Sequence, residues 1–474
     1  MRTRLSARWI VGHAAGHHTL VENGCIVFED DSVLFVGHDF PGEVDITHDY
    51  GTALIAPGFI DLDALSDLDT TILGFDNQPA HEKGRVWPQD YIPYEMYTPE
   101  ELAFQKHYAF AQLLRQGITT ALPIASLFYR EWGETTAEFS SAAASAADLG
   151  LRVSLGPAYR TGNSFIDDAG AIDFVFDEPR GLAGLEEAIT FARAHDNTHH
   201  GLVRAMLAPD RIEGCTEALL RRSADAAREL GIPIRLHCCQ SKFEVDSIMQ
   251  RHGMTPPEWL ENLGFLSHRA LLPHGNWVSG RDLDIIGAAG ATIVHCPLVS
   301  ARGGRALNSF ARIRKMGVNI GMGTDTWPPD MLQNLQTGLI TCRIAEGTAT
   351  SVRAADYFDA ATTGGADALH RPDLGRLMPG AKADITVFNF NHDRIGQIID
   401  PIQTLLIGGS SRDISNVFVN GRHVVVNGAI PGFDFAAAHA RAQAQFDGLV
   451  ARYPERTWKH PPVSEIFSTS YPPG

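Results

Sequence analysis

Eight short apolar runs, each followed by a helical stretch, fill the middle of this chain and restrict its fold more than any other feature. The runs are 54–62, 117–124, 152–158, 203–209, 233–239, 270–275, 292–297 and 319–324. Apolar strands alternating with helices are the pattern of a parallel sheet whose faces are covered on both sides. The helices carry their own punctuation. Thr98-Pro99-Glu100-Glu101 predicts a capping box with proline in the first turn, opening a helix that ends by Gly117. Residues 137–149 and 216–230 are alanine-rich amphipathic stretches, each closed by a glycine. Eight such units predict a (β/α)8 TIM barrel. A doubly wound open sheet is the alternative, but no G-x-G-x-x-G follows an early strand.

Both ends of the chain are β-rich instead. Residues 5–55 read as short β segments punctuated by Gly12, Gly16, Gly24, Gly37 and Gly42. Residues 383–388, 404–407 and 417–428 form a second set, in which Asn420-Gly421 between valine-rich runs signals a hairpin. The expected organisation is a small β-sandwich built from 1–55 and 375–430, a barrel over 56–374, and a C-terminal helix and tail over 431–474. With 474 residues the chain exceeds the ~250–300 that one core usually serves, so two bodies are expected.

The formal charge of −17 argues against nucleic acid or an anionic membrane surface as partner. No apolar run reaches the length of a membrane span. The six cysteines show no C-x-x-C spacing and read as reduced, buried thiols. The first ten residues lack the apolar core of a secretory signal, so a cytoplasmic location is expected. The expected partners are a small-molecule substrate and a second copy of the chain.

In a barrel the C-terminal strand ends face the active-site mouth. Asp61 and Asp63 stand at the end of the first run, His237 in the fifth, His274 in the sixth, His295 in the seventh and Asp325 just after the eighth. A lone histidine on an apolar run is more often a packed core residue than a ligand. One polar residue at the same end of four successive strands favours a functional site.

These words together resemble the amidohydrolase superfamily, closest to its branch of cytosine, guanine and nucleoside deaminases and triazine hydrolases. The resemblance runs from about residue 50 to 430. It rests on Ala56-Pro57-Gly58-Phe59-Ile60-Asp61-Leu62-Asp63-Ala64-Leu65, His237-Cys238-Cys239-Gln240, Pro273-His274-Gly275, Val294-His295-Cys296-Pro297, Gly323-Thr324-Asp325 and the return Gly375 to Asp384. It implies a metal held by an H-x-H pair, the strand-five histidine and the strand-eight aspartate. It also implies a strand-six histidine that orients water and a glutamate of H-x-x-E that carries the proton. Carried over, His237 and Asp325 match ligands, His274 the water-orienting residue, and His295 a less directly catalytic position.

Three positions depart from the pattern. Asp63 and Leu65 stand where the two histidines belong, and Gln240 replaces the glutamate. Leucine binds no metal, and glutamine cannot transfer a proton at neutral pH. Asp63, His237 and Asp325 could still hold one divalent ion (zinc, iron or manganese), since three ligands plus water suffice. The missing ligand weighs toward no tightly bound metal. In that case Asp63 and Asp325 would face one another, splitting their acidities into an acid and a base.

The long stretch 75–97 reads as a lid or substrate wall, with Gln78 and Trp87 as candidate substrate contacts. Arg160 after the third run and Trp327 after the eighth could anchor and stack a planar ring. A salt bridge and ordinary packing are their simpler readings. The expected activity is hydrolysis of a C–N or C–halogen bond in a small N-heterocycle or cyclic amide or amidine. The alternatives are a metal-independent lyase or isomerase using the Asp/His cluster, or a non-catalytic paralogue.

Overall fold

A computed structural model of the chain describes residues 1–68, 86–124, 127–307 and 309–472. The eight predicted runs form eight parallel strands in two groups of four. Phe59–Leu65 pairs with Ile118–Ile124, which pairs with Arg152–Leu155, which pairs with Val203–Ala205. Ile234–Arg235, Ala270–Pro273, Thr292–His295 and Asn319–Met322 pair in that order. Two seams close the ring. At one, the Leu207 N–H donates to the Pro233 carbonyl and the Arg235 N–H to the Leu207 carbonyl, both at 2.9 Å. At the other, the Asp325 N–H donates to the Asp63 carbonyl at 2.8 Å. Gly323 permits this second closure, because a Cβ there would sit 2.6 Å from Asp63 Cβ.

The helices follow their sequence signals. Pro99–Arg115 has the full capping box between Thr98 and Glu101. Thr136–Leu149 and Glu217–Leu230 end on left-handed Gly150 and Gly231. After the third strand comes a hairpin that the apolar pattern did not announce, Gly162–Ile166 paired antiparallel with Ile172–Phe176.

The two ends of the chain build one eight-stranded mixed sheet. Its order is Arg422–Val425, Ile414–Val419, Ile385–Asn389, Ala53–Pro57, Arg2–Ala14, His17–Glu29 and Ser32–Gly37, with Ile46–Asp49 beside Arg2–Ala14. The sheet curls over its own core, as in a sandwich: the Phe28 and Phe418 rings meet at 5.7 Å although three strands lie between theirs. Asn420 and Gly421 both take positive φ, as the predicted tight hairpin requires. Two local readings need correcting. Gly12 and Gly24 lie inside long strands rather than between short ones. The run 404–407 belongs to a helix, Pro401–Gly408, because Asp400 caps it and Pro401 occupies its first position.

Candidate active site

The strand ends bring a buried polar cluster to the C-terminal mouth. Asp61 accepts from the Thr324 N–H at 3.0 Å, the Thr324 hydroxyl at 2.6 Å and the Asp63 N–H at 3.1 Å. It therefore ties the first strand to the eighth. Burial pushes its carboxyl up to about 7 despite those three donors.

Asp63 is the hub. Its Oδ1 lies 3.6 Å from Arg235 Nη1, and its Oδ2 lies 3.7 Å from both His237 Nε2 and Cys296 Sγ. Burial alone would raise its pKa, but the charges of His237 and Arg235 overturn this and hold the carboxyl below its usual range. His237 Nδ1 faces the Asp210 carbonyl at 2.8 Å and donates to it, which leaves Nε2 turned toward Asp63. Burial works against protonating His237, yet the Asp63 charge raises its pKa. Asp63 is thus the anion of the pair, and the expected sharing of acidity between Asp63 and Asp325 gives way to pairing with Arg235 and His237.

His274 packs its ring on that of His237, centroids 5.4 Å apart, and its Nε2 is 3.6 Å from Asp325 Oδ2. Burial, then the neighbouring His237 charge, keeps it neutral. One donor atom each from Asp63, His237 and His274 lies within 4.8 Å of the others. His274 is thus a further donor beside His237, with Asp325 Oδ2 3.6 Å from its Nε2.

A cavity of about 220 Å³ opens above this floor, with Leu65, Arg160, Asn163, His237, Gln240 and Asp325 among its walls. Gln240 turns its Oε1 to accept from Arg211 Nη1. With the oxygen so engaged, the amide NH2 is the group's remaining donor. Arg160 is buried, donates to Asn163 Oδ1 at 2.9 Å and to the Leu127 carbonyl at 3.3 Å, and lies 3.9 Å from Asp210.

Several sequence candidates occupy other places. Trp87 lies under the Arg160 guanidinium, 5.7 Å from ring centroid to Cζ, rather than in the cavity wall. Trp327 packs on Tyr108 at 5.6 Å, the ordinary packing role. His295 packs against the stacked pair of Phe310 and Tyr357, outside the cavity wall, and its burial pushes it down to about 3. Gln78 lies outside the described residues. Sequence reasoning missed Arg235, two residues before His237 and therefore on the same face of its strand. It also missed Asp210 and Arg211, a polar pair closing the fourth run.

A closed (β/α)8 barrel with acids, imidazoles and an amide converging at its C-terminal mouth defines an enzyme scaffold. The chain belongs to the amidohydrolase family, whose sequence pattern matches residues 55–424. It is 30% identical to the 8-oxoguanine deaminase of Pseudomonas aeruginosa over 75% of this chain and 78% of that protein. It is 25% identical to the 5-methylthioadenosine/S-adenosylhomocysteine deaminase of Natronomonas pharaonis over 90% and 93%. In fold it is similar to an adenosine deaminase from Xanthomonas campestris with bound zinc, with a TM-score of 0.77, 19% identity, and coverage of 94% and 98%. It is likewise similar to a triazine hydrolase from Arthrobacter aurescens, with a TM-score of 0.78, 21% identity, and coverage of 94% and 99%.

The donors present fit a divalent ion. Asp63 Oδ1 and both ring nitrogens of His274 are buried without a hydrogen-bond partner among the described residues. One carboxylate and two imidazoles form a set that zinc, iron or manganese accepts. Arg235 adds a fixed positive charge beside that set, which lowers its affinity for any cation.

Proposed function

We propose that the chain hydrolyses a carbon–nitrogen bond of a small N-heterocycle, releasing ammonia or an amine, with a carbon–halogen bond as the variant electrophile. The observation that carries this is the convergence of Asp63, His237 and His274 beneath a cavity that also presents Asp325 and Gln240. The deaminases and triazine hydrolase it resembles support the same bond class.

A divalent ion on Asp63, His237 and His274 would supply Lewis acidity and acidify water toward neutrality. The chain's own groups do the rest. Asp325, partly open to the cavity, is the carboxylate that takes a proton from the attacking water and returns it to the leaving nitrogen. His274, kept neutral, sets its ring against the Asp325 carboxylate, 3.6 Å away, and so positions that base. Gln240 donates from its NH2 to a ring nitrogen or carbonyl of the substrate, but carries no proton. Arg160 and Asn163 line the far wall, where they meet electron-rich edges.

A second reading, metal-independent acid–base lyase or isomerase chemistry, is favoured by the Arg235–Asp63 pair, which neutralises the carboxylate without a metal. Elemental analysis separates the two, since a stoichiometric metal supports the hydrolase. The proposal includes a homodimer, checked by light scattering, and no nucleic-acid or membrane partner. No helix among the described residues is long and apolar enough to cross a membrane. Six free, buried cysteines support a reducing compartment such as the cytoplasm.

The test is ammonia release from amino-substituted purines, pyrimidines and triazines, and halide release from chlorotriazines. Turnover of at least one is expected, and its loss in Asp325→Asn and His237→Ala with folding intact. Undiminished turnover in either variant would show that these residues do not carry the chemistry.

A further inference from the structure

At the opposite end of the barrel, four arginines converge on a cavity that the active site does not use. The cavity holds about 190 Å³, and Arg152, Arg204, Arg269, Arg371, His370 and Thr120 are among its walls. They come from the starts of the second, third, fourth and sixth strands and from the loop after the last barrel helix. No Asp or Glu is among the described residues that line it. In a chain with 56 acidic and 39 basic residues, that segregation of sign stands out from the background.

Three of the arginines have carboxylate partners behind the wall. Arg152 pairs with Asp384 at 2.9 Å, Arg204 with Asp196 at 2.9 Å and Arg371 with Asp373 at 2.7 Å. These acids hold the guanidiniums in place. Arg269 differs: its Nη1 donates to the Gly231 carbonyl at 2.7 Å, and it forms no ion pair among the described residues. Thr120, 2% exposed, has a hydroxyl with no hydrogen-bond partner among them. A buried hydroxyl without a partner costs free energy unless something in the cavity accepts from it, and the Arg269 guanidinium, reached by solvent, lines the same cavity.

We propose that this cavity is an oxyanion site for a phosphate group, separate from the active site. Guanidiniums and a hydroxyl arranged around a small volume match a multiply charged tetrahedral anion, which offers acceptors in several directions at once. Arg269 and Thr120 make the contacts that the protein leaves open. The phosphate group belongs either to free inorganic phosphate or to a small phosphate monoester.

The test is calorimetric titration of the full chain with inorganic phosphate and with ribose 5-phosphate, against sodium chloride at matched ionic strength. Saturable binding at one site per chain is expected, weakened about tenfold or more in Arg269→Ala, as loss of one charge-assisted bond implies. Thr120→Val, nearly isosteric, should weaken it by a smaller factor and serves if Arg269→Ala folds poorly. Tighter binding of the ester identifies a phosphate-bearing small molecule, and equal or weaker binding identifies free phosphate. No saturable binding of either anion, or unchanged affinity in the folded variants, overturns the site.

Discussion

Arg235 Nη1 lies 3.6 Å from Asp63 Oδ1, and both side chains are cut off from solvent on the floor of the barrel mouth. Two charges so placed stabilise each other, but each is costly without the other. The pair gives Asp63 a cationic neighbour that does not depend on any bound ion. It also sets a fixed charge against any metal that uses the same carboxylate.

Arg235→Met should therefore destabilise the metal-free protein by about 3–5 kcal/mol, the cost of one uncompensated buried charge. Zinc should restore more stability to this variant than to the parent, because the ion no longer competes with a guanidinium. Thermal melts in chelator and in zinc measure both effects. Equal stability of variant and parent in chelator would mean that Arg235 does not neutralise Asp63.

His295 gives a pH signature. Its folded value of about 3 lies below the ~6.5 of an unfolded histidine. The unfolded chain takes up a proton below about 6.5 while the folded chain does not. The stability it contributes is complete above that pH and is lost as pH falls toward 3, by up to about 1.4 kcal/mol per pH unit. His295→Phe, which keeps a ring against the stacked Phe310 and Tyr357, should flatten that part of the curve and leave turnover near the parent's. Abolished turnover in a stable variant would return His295 to the catalytic set.

Much of this architecture was legible in the residues, for a physical reason. A polar side chain ending an apolar run is conspicuous, so the residues alone place His237, His274 and Asp325 at one mouth. Direction was not legible. Trp327 stands two residues from Asp325, yet its ring turns to Tyr108, and only tertiary packing decides that. Arg235 was hidden because a charge inside an apolar run looks like an interruption, whereas its two-residue offset from His237 puts both on one face. The run 404–407 shows the limit of short apolar segments, where Asp400 and Pro401 carried more information than the four residues themselves.

Arg211 should act through Gln240. Its Nη1 donates to the Gln240 oxygen and so sets the orientation of the amide. Arg211→Met frees the amide to rotate, and the substrate loses an oriented donor. A rise in KM of about tenfold, with a smaller change in kcat, is expected from losing one such hydrogen bond. Gln240→Ala should show a similar pattern, and the double variant should not add a second full loss. Additive effects would show that the two residues act independently.

Leu65 is the position where the metal site can be rebuilt with least disturbance. It ends the first strand, is 3% exposed and shares the cavity with His237 and Asp325. Leu65→His adds an imidazole while Asp63 keeps its contacts with Arg235 and His237. Changing Asp63→His as well would leave Arg235 beside two neutral rings, with no anion to pair with. The single substitution should raise zinc affinity by about tenfold or more, since even residues behind a ligand shell are worth 10–100-fold. Competition against a chromophoric chelator measures it, and elemental analysis of the purified variant checks the stoichiometry. Unchanged zinc affinity in a folded Leu65→His protein would show that position 65 faces away from the donors. The first strand would then contribute Asp63 alone.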